Sequence, residues 1–400
     1  MAIKFVHFIV EQKSYPLMND HPALNPANIF ATYLGSKELS PFHNCYANEN
    51  TVLRLAAGRF YAHYNGEDVI SSYWALRKKA ALFDVPERPV EIAGPDAVAF
   101  LEYLVARKIK DMEVGRGRYV LICTHEGGIF MDGILFRLAE NRFWFVHPDG
   151  DLDMWLLAHS RGFDVKVSDP KSRVLQLQGP KSFRIMQDAT RGAITQNFRY
   201  FHSGLFNFDG QKVYVSRTGW TGELGYELYT LGEQTDCPRL WDHLMRKGKP
   251  YGMVFSSMQA MNTRRIEAGI FDSGSDFDSS MNPFESGLEN FIDLGKKNFL
   301  GRDALRGANS GTRLFGLRCK DYTPHTSDLV LSDNAPVGRV TTGAFSPYLE
   351  CGIGYVRFDK PRDWSGKTLT LQSYKFGEVS CTIVDLPFYD QEKLLPRYLE

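Results

Sequence analysis

Twice in this chain a strand-like run ends in Gly-Pro and opens a helix. Val90-Glu91-Ile92-Ala93 alternates as a half-buried strand does, Gly94-Pro95-Asp96 turns, and Ala97 to Leu104 carries its apolar residues at helical spacing. Pro95 and Asp96 suit the first helical turn. Proline lacks only an N–H that the helix leaves without a partner, and a carboxylate favours the positive end of the helix dipole. Further on, Leu175-Gln176-Leu177-Gln178 is strand-like, Gly179-Pro180-Lys181-Ser182 turns, and a helix begins at Phe183. A unit used twice predicts two α+β halves of similar build, with chance as the competing explanation of so short a pattern.

Between the two units lie hairpin-like strands. Tyr119 to Cys123 runs into Glu126-Gly127-Gly128, Ile129 to Phe136 follows, and Phe143 to Val146 makes a third strand. Gly127-Gly128 supplies the positive φ of a tight turn. After about residue 310 the pattern is all short strands, as in Leu314-Phe315-Gly316-Leu317, Gly338-Arg339-Val340-Thr341, Ile353-Gly354-Tyr355-Val356 and Thr368-Leu369-Thr370-Leu371. These predict a small C-terminal β-barrel or sandwich. Roughly the first 60 residues, punctuated by Pro16, Pro22, Pro26 and Pro41, read as an irregular arm that must pack on something else.

Composition excludes several function classes. Lys+Arg and Asp+Glu both number 47, and a neutral chain lacks the basic excess that a general nucleic-acid binder needs. No run approaches the roughly 20 apolar residues of a membrane span, and the short apolar N-terminal run meets charge at once, unlike a signal peptide. The six cysteines form no C-x-x-C pair and the ten histidines no H-x-x-x-H pair. No metal and a cytoplasmic location are therefore expected.

One stretch carries most of the chemistry: Ser216-Arg217-Thr218-Gly219-Trp220-Thr221-Gly222-Glu223-Leu224-Gly225-Tyr226-Glu227. Its glycines suggest a phosphate loop, but such a loop needs a strand before and a helix after. Here Val213-Tyr214-Val215-Ser216 precedes and Tyr226-Glu227-Leu228-Tyr229 follows, both β-rich, so the segment is a glycine-rich hairpin. Glu227 stands among apolar and aromatic residues, where an unpaired carboxylate costs several kcal/mol. Arg265 or Arg217 is its structural partner, or a ligand with two adjacent N–H donors is its functional one. Trp220, Tyr226 and Tyr229 can wall a planar slot. Asp132, inside the run Ile129-Phe130-Met131-Asp132-Gly133-Ile134, is either hydrogen-bonded scaffolding or a functional group in a cleft, with Tyr119 on the neighbouring strand as a possible companion.

From about Leu82 to Asp390 the chain resembles the folate-dependent aminomethyltransferase superfamily, which includes the glycine cleavage T-protein and tetrahydrofolate-dependent demethylases. The markers, in the family's order, are Phe83-Asp84-Val85, Gly127-Gly128-Ile129, Leu177-Gln178-Gly179-Pro180, the Ser216 to Tyr229 hairpin, Arg265-Ile266-Glu267-Ala268-Gly269, Asn282-Pro283-Phe284-Glu285-Ser286-Gly287-Leu288, Phe299 to Leu305, Gly343-Ala344-Phe345-Ser346-Pro347 and Pro387-Phe388-Tyr389-Asp390.

The resemblance implies an α+β fold, a three-domain ring of two ferredoxin-like α+β domains and a C-terminal β-barrel or jelly-roll-like domain, with folate in the central channel. It divides the chain into residues 1–82 with 169–249, residues 83–168 with 250–304, and residues 305–400. It implies tetrahydrofolate as cofactor. Glu227 then holds the pterin, Tyr119, Phe136, Trp220 and Tyr229 contact it, and Asp132 lies beside the folate nitrogens as the catalytic residue.

The departures concern the donor. The T-protein has Asp-Asp where this chain has Met131-Asp132, an Arg where Met261 stands, and an Asn matched by His147. Together with the wording of the Ser216 to Tyr229 hairpin, the long N-terminal arm and its segment Tyr61-Ala62-His63-Tyr64-Asn65, these favour the demethylase branch, closest to the dimethylsulfoniopropionate type. The expected reaction moves a methyl group from a small O-, S- or N-methyl donor to N5 of tetrahydrofolate, with Tyr64, His147 and Met261 near the donor. A T-protein-like aminomethyltransferase working with a lipoyl carrier and a non-catalytic folate-binding protein are the alternatives. No nucleic-acid or membrane partner is expected; a homodimer is possible.

Overall fold

The computed structural model describes residues 7–8, 38–148, 150–373 and 377–398. The chain begins with strand β1 (His7–Phe8), helix α1 (His43–Tyr46), strands β2 (Val52–Ala56) and β3 (Arg59–Tyr64), and helix α2 (Val69–Lys78). Then come β4 (Ala81–Val85), β5 (Arg88–Ala93), α3 (Ala97–Leu104), β6 (Arg116–Cys123), β7 (Ile129–Ala139), β8 (Arg142–His147), α4 (Leu152–His159) and β9 (Lys166–Ser168). After these follow β10 (Val174–Gln178), α5 (Ser182–Ala189), β11 (Ser203–Phe208), β12 (Gln211–Ser216), β13 (Gly225–Tyr229), α6 (Cys237–Gly248), β14 (Val254–Phe255), α7 (Met258–Glu267) and α8 (Arg302–Arg306). The last strands are β15 (Leu314–Cys319), β16 (Leu329–Ser332), β17 (Ala335–Ser346), β18 (Cys351–Phe358), β19 (Thr368–Ser373) and β20 (Gly377–Val384).

These elements form two α+β units and a barrel. One sheet has the order β11-β12-β13-β10-β4-β14, a second the order β6-β7-β8-β5-β9, and β15-β18-β17-β16-β19-β20 close into a six-stranded barrel. The repeated unit is real and falls once in each α+β sheet: β5 leads through Gly94 to α3, and β10 through Gly179 to α5. Both glycines are forced. Gly94 has φ +145° and its Cβ would stand 2.3 Å from the Asp164 carbonyl; Gly179 has φ +119° and its Cβ would stand 2.7 Å from the Leu76 and Lys79 carbonyls.

Strand alternation sorts the side chains. Leu175, Leu177, Val213, Val215, Tyr226 and Leu228 pack against α5 and α6. On the second sheet Val120, Ile122, Met131, Leu135, Phe143 and Phe145 pack against α3 and α4. The opposite faces meet each other: Phe83, Val85, Val174, Tyr214 and Tyr229 from the first sheet against Ile134, Phe136, Leu138, Trp144 and Val146 from the second. A further cluster, with Leu121, Ile129, Phe277, Met281 and Phe299, lays the 277–305 segment over the rest of that face of the second sheet.

Three expectations need adjusting. The N-terminal arm is not irregular throughout: residues 52–64 form the β2–β3 hairpin, because Leu53 and Ala62 have a core to bury against. Pro16, Pro22 and Pro26 lie outside the described residues. The division after residue 82 cuts through β4, whose whole length pairs with β10, so the sheets separate between Val85 and Arg88; β14 pairs with β4 and also belongs to the first sheet. Of the Gly127-Gly128 pair only Gly127 has positive φ, +86°. Gly128 serves close approach, since a Cβ there would lie 1.9 Å from the Ser279 carbonyl oxygen. Among the described residues no helix is long and apolar enough to cross a membrane.

Candidate functional site

The seam between the two sheets collects polar groups that a hydrophobic interface has no reason to hold. Strand β7 brings Asp132 there, on the face that carries Ile134 and Phe136. In the β6–β7 register Tyr119 lies opposite Ile134 and Leu121 opposite Asp132, so Tyr119 and Asp132 are diagonal neighbours on one face. The Tyr119 hydroxyl donates to Asp132 Oδ2 at 2.8 Å, and Phe291 packs edge-on against the Tyr119 ring at 4.6 Å. Asp132 is 8% exposed, and its other oxygen, Oδ1, is buried without a hydrogen-bond partner. Burial pushes the Asp132 carboxyl up to about 6; the Tyr119 hydrogen bond opposes this, the charge of Asp272 adds to it, and the Ser273 hydroxyl nearby also favours the ionised form. Burial and the Asp132 charge hold the Tyr119 phenol well above its ordinary range, so it stays a donor.

Glu227 lies on β13, opposite Gln176 of β10 and Ser216 of β12. Its Oε2 accepts hydrogen bonds from Thr218 Oγ1 at 2.5 Å, Tyr229 Oη at 2.7 Å and Ser216 Oγ at 3.3 Å. Its Oε1 accepts from Gln176 Nε2 at 3.0 Å. Burial raises the carboxyl while the hydroxyl donors pull it back. Neither arginine named from the sequence is its partner. Arg265 pairs with Asp276 and donates to Thr342 Oγ1 at 3.0 Å. Arg217 donates to the carbonyls of Phe198, Pro396 and Arg397. An ionised carboxylate has about four lone-pair sites, and the sheet already fills most of them. Glu227 therefore has room on Oε1 for one ligand N–H, not for a two-pronged fork.

Gln176 organises this corner. Its Nε2 also donates to Glu87 Oε1 at 3.0 Å, and its Oε1 accepts the Trp220 backbone N–H at 3.4 Å. Gln178 does the same for the hairpin loop, accepting from Thr221 Oγ1 at 2.8 Å and donating to the Thr218 carbonyl at 3.2 Å. Two of the hairpin glycines are there for Gln178: a Cβ on Gly219 or Gly225 would fall 2.1 or 2.2 Å from its amide oxygen.

Of the other expected residues, Trp220 borders the seam with the Arg265 guanidinium 5.2 Å from its ring centroid. Phe136 and Tyr229 are fully buried and meet edge-to-face at 5.7 Å; they form the packed wall of the seam rather than an open slot. Tyr226, also offered as a wall, points to the helix side. Met261 on α7 is buried in the same inter-sheet cluster, beside Trp220 and Met258. His147 alternates with Val146, which faces the seam, and so sits on the side of Phe143 and Phe145. Tyr64 is on β3, opposite Val52, in the N-terminal hairpin. Met131 points into the helix-side core, so an aspartate at that position would not face the seam on this geometry. The sequence had not singled out Glu87, Gln176 or Asp272. Gln176 and Gln178, alternating with leucines inside a core strand, were the available signal; Glu87 follows Pro86 in a turn and offered none.

What this arrangement can do is receive N–H groups. A buried oxygen without a donor at Asp132 and a spare lone pair at Glu227 fit a planar, nitrogen-rich ring. Two surface grooves, of about 590 and 300 Å³, lie on the barrel around Asn309 and Arg362 and around Arg318 and Thr382, and neither includes Asp132 or Glu227.

Comparison with known proteins covers most of the chain. Residues 44–296 match the GCVT N-terminal domain, and residues 312–390 match the glycine cleavage T-protein C-terminal barrel domain. An aminomethyltransferase from Alkaliphilus oremlandii is 31% identical over 369 residues, covering 90% of this chain and 98% of the relative. One from Caldanaerobacter subterraneus is 28% identical over 366 residues, covering 89% and 97%. The solved structure of glycine cleavage system aminomethyltransferase T from Bartonella henselae superposes with a TM-score of 0.80 over 91% of this chain and 100% of that one, at 24% identity.

Proposed function

The chain belongs to the glycine cleavage T-protein family, and from that membership we propose that it is a tetrahydrofolate-dependent one-carbon transferase whose ligand lies in the seam between the two sheets. The observation that carries the reading is Asp132: a carboxylate held by Tyr119, nine-tenths buried, with Oδ1 left for a ligand. Tetrahydrofolate supplies the nucleophilic nitrogen when bound. Asp132 stabilises positive charge that develops beside it, or receives its proton directly or through a water. Tyr119 fixes the Asp132 rotamer and keeps Oδ2 occupied, so that Oδ1 is the working atom. Glu227 accepts a ring N–H, and Trp220 flanks the ring. The remaining task is alignment in a water-poor space, which is worth roughly 7–11 kcal/mol in favourable cases.

Two donor classes follow from different observations. The relatives are named aminomethyltransferases, which supports an aminomethyl group as the transferred unit. Met261, apolar where the T-protein resemblance expects an arginine, supports a methyl donor and demethylation. Met131 supports neither, since it faces the helices. The two are separated by incubating the protein with tetrahydrofolate and, in turn, dimethylsulfoniopropionate, glycine betaine, vanillate, syringate and an aminomethyl-lipoyl carrier protein. Formation of 5-methyltetrahydrofolate supports demethylation. Formation of 5,10-methylenetetrahydrofolate with ammonia supports aminomethyl transfer. No folate product from any donor overturns the enzymatic reading.

A further inference from the structure

Glu87 sits in the turn between β4 and β5, where the two sheets part. Its Oε1 accepts from the same Gln176 amide nitrogen that serves Glu227, each at 3.0 Å, so one side-chain NH2 bridges two carboxyl groups. Its Oε2 is buried and has no hydrogen-bond partner. Glu87 as a whole is only part-buried, but this oxygen is enclosed, and the large majority of buried side-chain oxygens are hydrogen-bonded. Glu87 instead presents a bare polar atom beside the acceptor face of Glu227.

The groups around it decide its charge. Glu227 faces it from β13, Asp84 comes from β4, the Tyr229 hydroxyl from β13, and Arg59 of β3 spends its Nη1 on the Glu87 carbonyl at 2.8 Å. Two carboxylates this close disfavour double ionisation. Burial first, and the Glu227 charge second, push the Glu87 carboxyl up to about 8. At neutral pH it is a carboxylic acid with an O–H to give.

We infer that Glu87 is a second carboxyl of the ligand site, donating its O–H to a ring carbonyl that stands next to an N–H accepted by Glu227 Oε1. A donor and an acceptor side by side complement a lactam, the N–H and C=O edge of a pyrimidinone-type ring. Glu227 alone cannot read that edge, because it only accepts and most of its lone pairs are taken. The inference rests on the tetrahydrofolate reading and adds to it a group that distinguishes a lactam edge from a ring bearing only N–H donors.

The test is calorimetric titration of tetrahydrofolate into the full chain at a series of pH values between about 6.5 and 9. The wild type is expected to bind evenly below the ionisation of Glu87, then to lose affinity by up to about tenfold per pH unit above about 8. Glu87→Gln keeps an N–H donor at every pH, so its affinity stays flat across the series. Glu87→Leu has no donor and binds at least about tenfold more weakly throughout. A Glu87→Gln profile that falls with the wild type's, or a Glu87→Leu affinity equal to the wild type's, overturns the inference. Glu227→Ala separates the two levels. If it loses binding while the Glu87 variants behave as wild type, only the role of Glu87 fails; if wild type and Glu227→Ala bind alike, or neither binds, the folate site fails and Glu87 with it.

Discussion

At the scale of single residues, Asp132 is under two opposed demands. Its carboxyl sits at about 6, above the ordinary 3.8 of an aspartate, so the folded state favours the protonated form. The sign follows from that. The contribution to stability is fully present below the unfolded value and is lost as pH rises through about 6, which makes the ionised group a liability of roughly 2–3 kcal/mol at neutral pH. Asp132→Asn is therefore expected to raise stability near pH 8 relative to wild type, measured by urea unfolding, while lowering kcat by about 10²-fold or more. A variant that is both inactive and less stable at pH 8 contradicts this account. Activity of the wild type is expected to fall as pH drops through about 6, because the carboxylate is the working form. Tyr119→Phe removes a hydrogen bond that favours that form, so its acid limb shifts to higher pH in a kcat/KM profile. Asp132 and Glu227 were legible as acids inside apolar strands, and Tyr119 as a neighbour of Asp132. Which partners satisfy Glu227 was not legible, because they are hydroxyls and an amide that only the β10–β13–β12 register assembles.

Among the elements, turns and hairpins carry the precision. Strand periods and Gly-Pro punctuation gave both α+β units, the β6–β7 hairpin and the barrel strands, since each is a local pattern. The β2–β3 hairpin escaped notice because its proline-rich surroundings obscure it and its stability comes from distant packing of Leu53 and Ala62. Gly127 and Gly128 look equivalent in sequence but differ in kind. Gly127→Ala places a side chain at φ +86°, costing about 1–2 kcal/mol. Gly128→Ala drives a Cβ into the Ser279 backbone and costs about 1–3 kcal/mol. Denaturant unfolding of both variants checks the energies. The second should also disturb how the 277–305 segment seats on the sheet, seen as faster amide exchange at Ile129, whose N–H donates to the Met281 carbonyl. Unchanged exchange there would contradict the close-approach explanation.

At the scale of the whole molecule, one buried charge network ties the first α+β unit, α7 and the barrel together. Arg264 of α7 pairs with Glu223 of the glycine-rich hairpin at 2.9 Å and with Glu267 at 2.7 Å; Arg77 of α2 reaches the same Glu223 at 3.1 Å, and Tyr73 donates to Glu267 at 2.8 Å. The barrel joins through Ser346, which donates to Glu267. Removing one partner leaves buried charge uncompensated, so Arg264→Ala is expected to destabilise the protein by about 3–5 kcal/mol in chemical denaturation. The glycine-rich hairpin that leads to Glu227 is thus anchored to α2, to α7 and, through Glu267, to the barrel. The sequence markers Glu267 and Ser346 were recognisable as family features, yet their meeting with each other, and the link from Glu267 through Arg264 to Glu223, depend on elements far apart in the chain. The central claim, that the inter-sheet seam is a tetrahydrofolate site, is tested most directly by binding tetrahydrofolate to wild type and to Asp132→Asn and Glu227→Ala side by side. The account predicts wild-type binding with a marked loss in Glu227→Ala, at least about tenfold, and a smaller loss in Asp132→Asn. Equal affinity in all three proteins would contradict it.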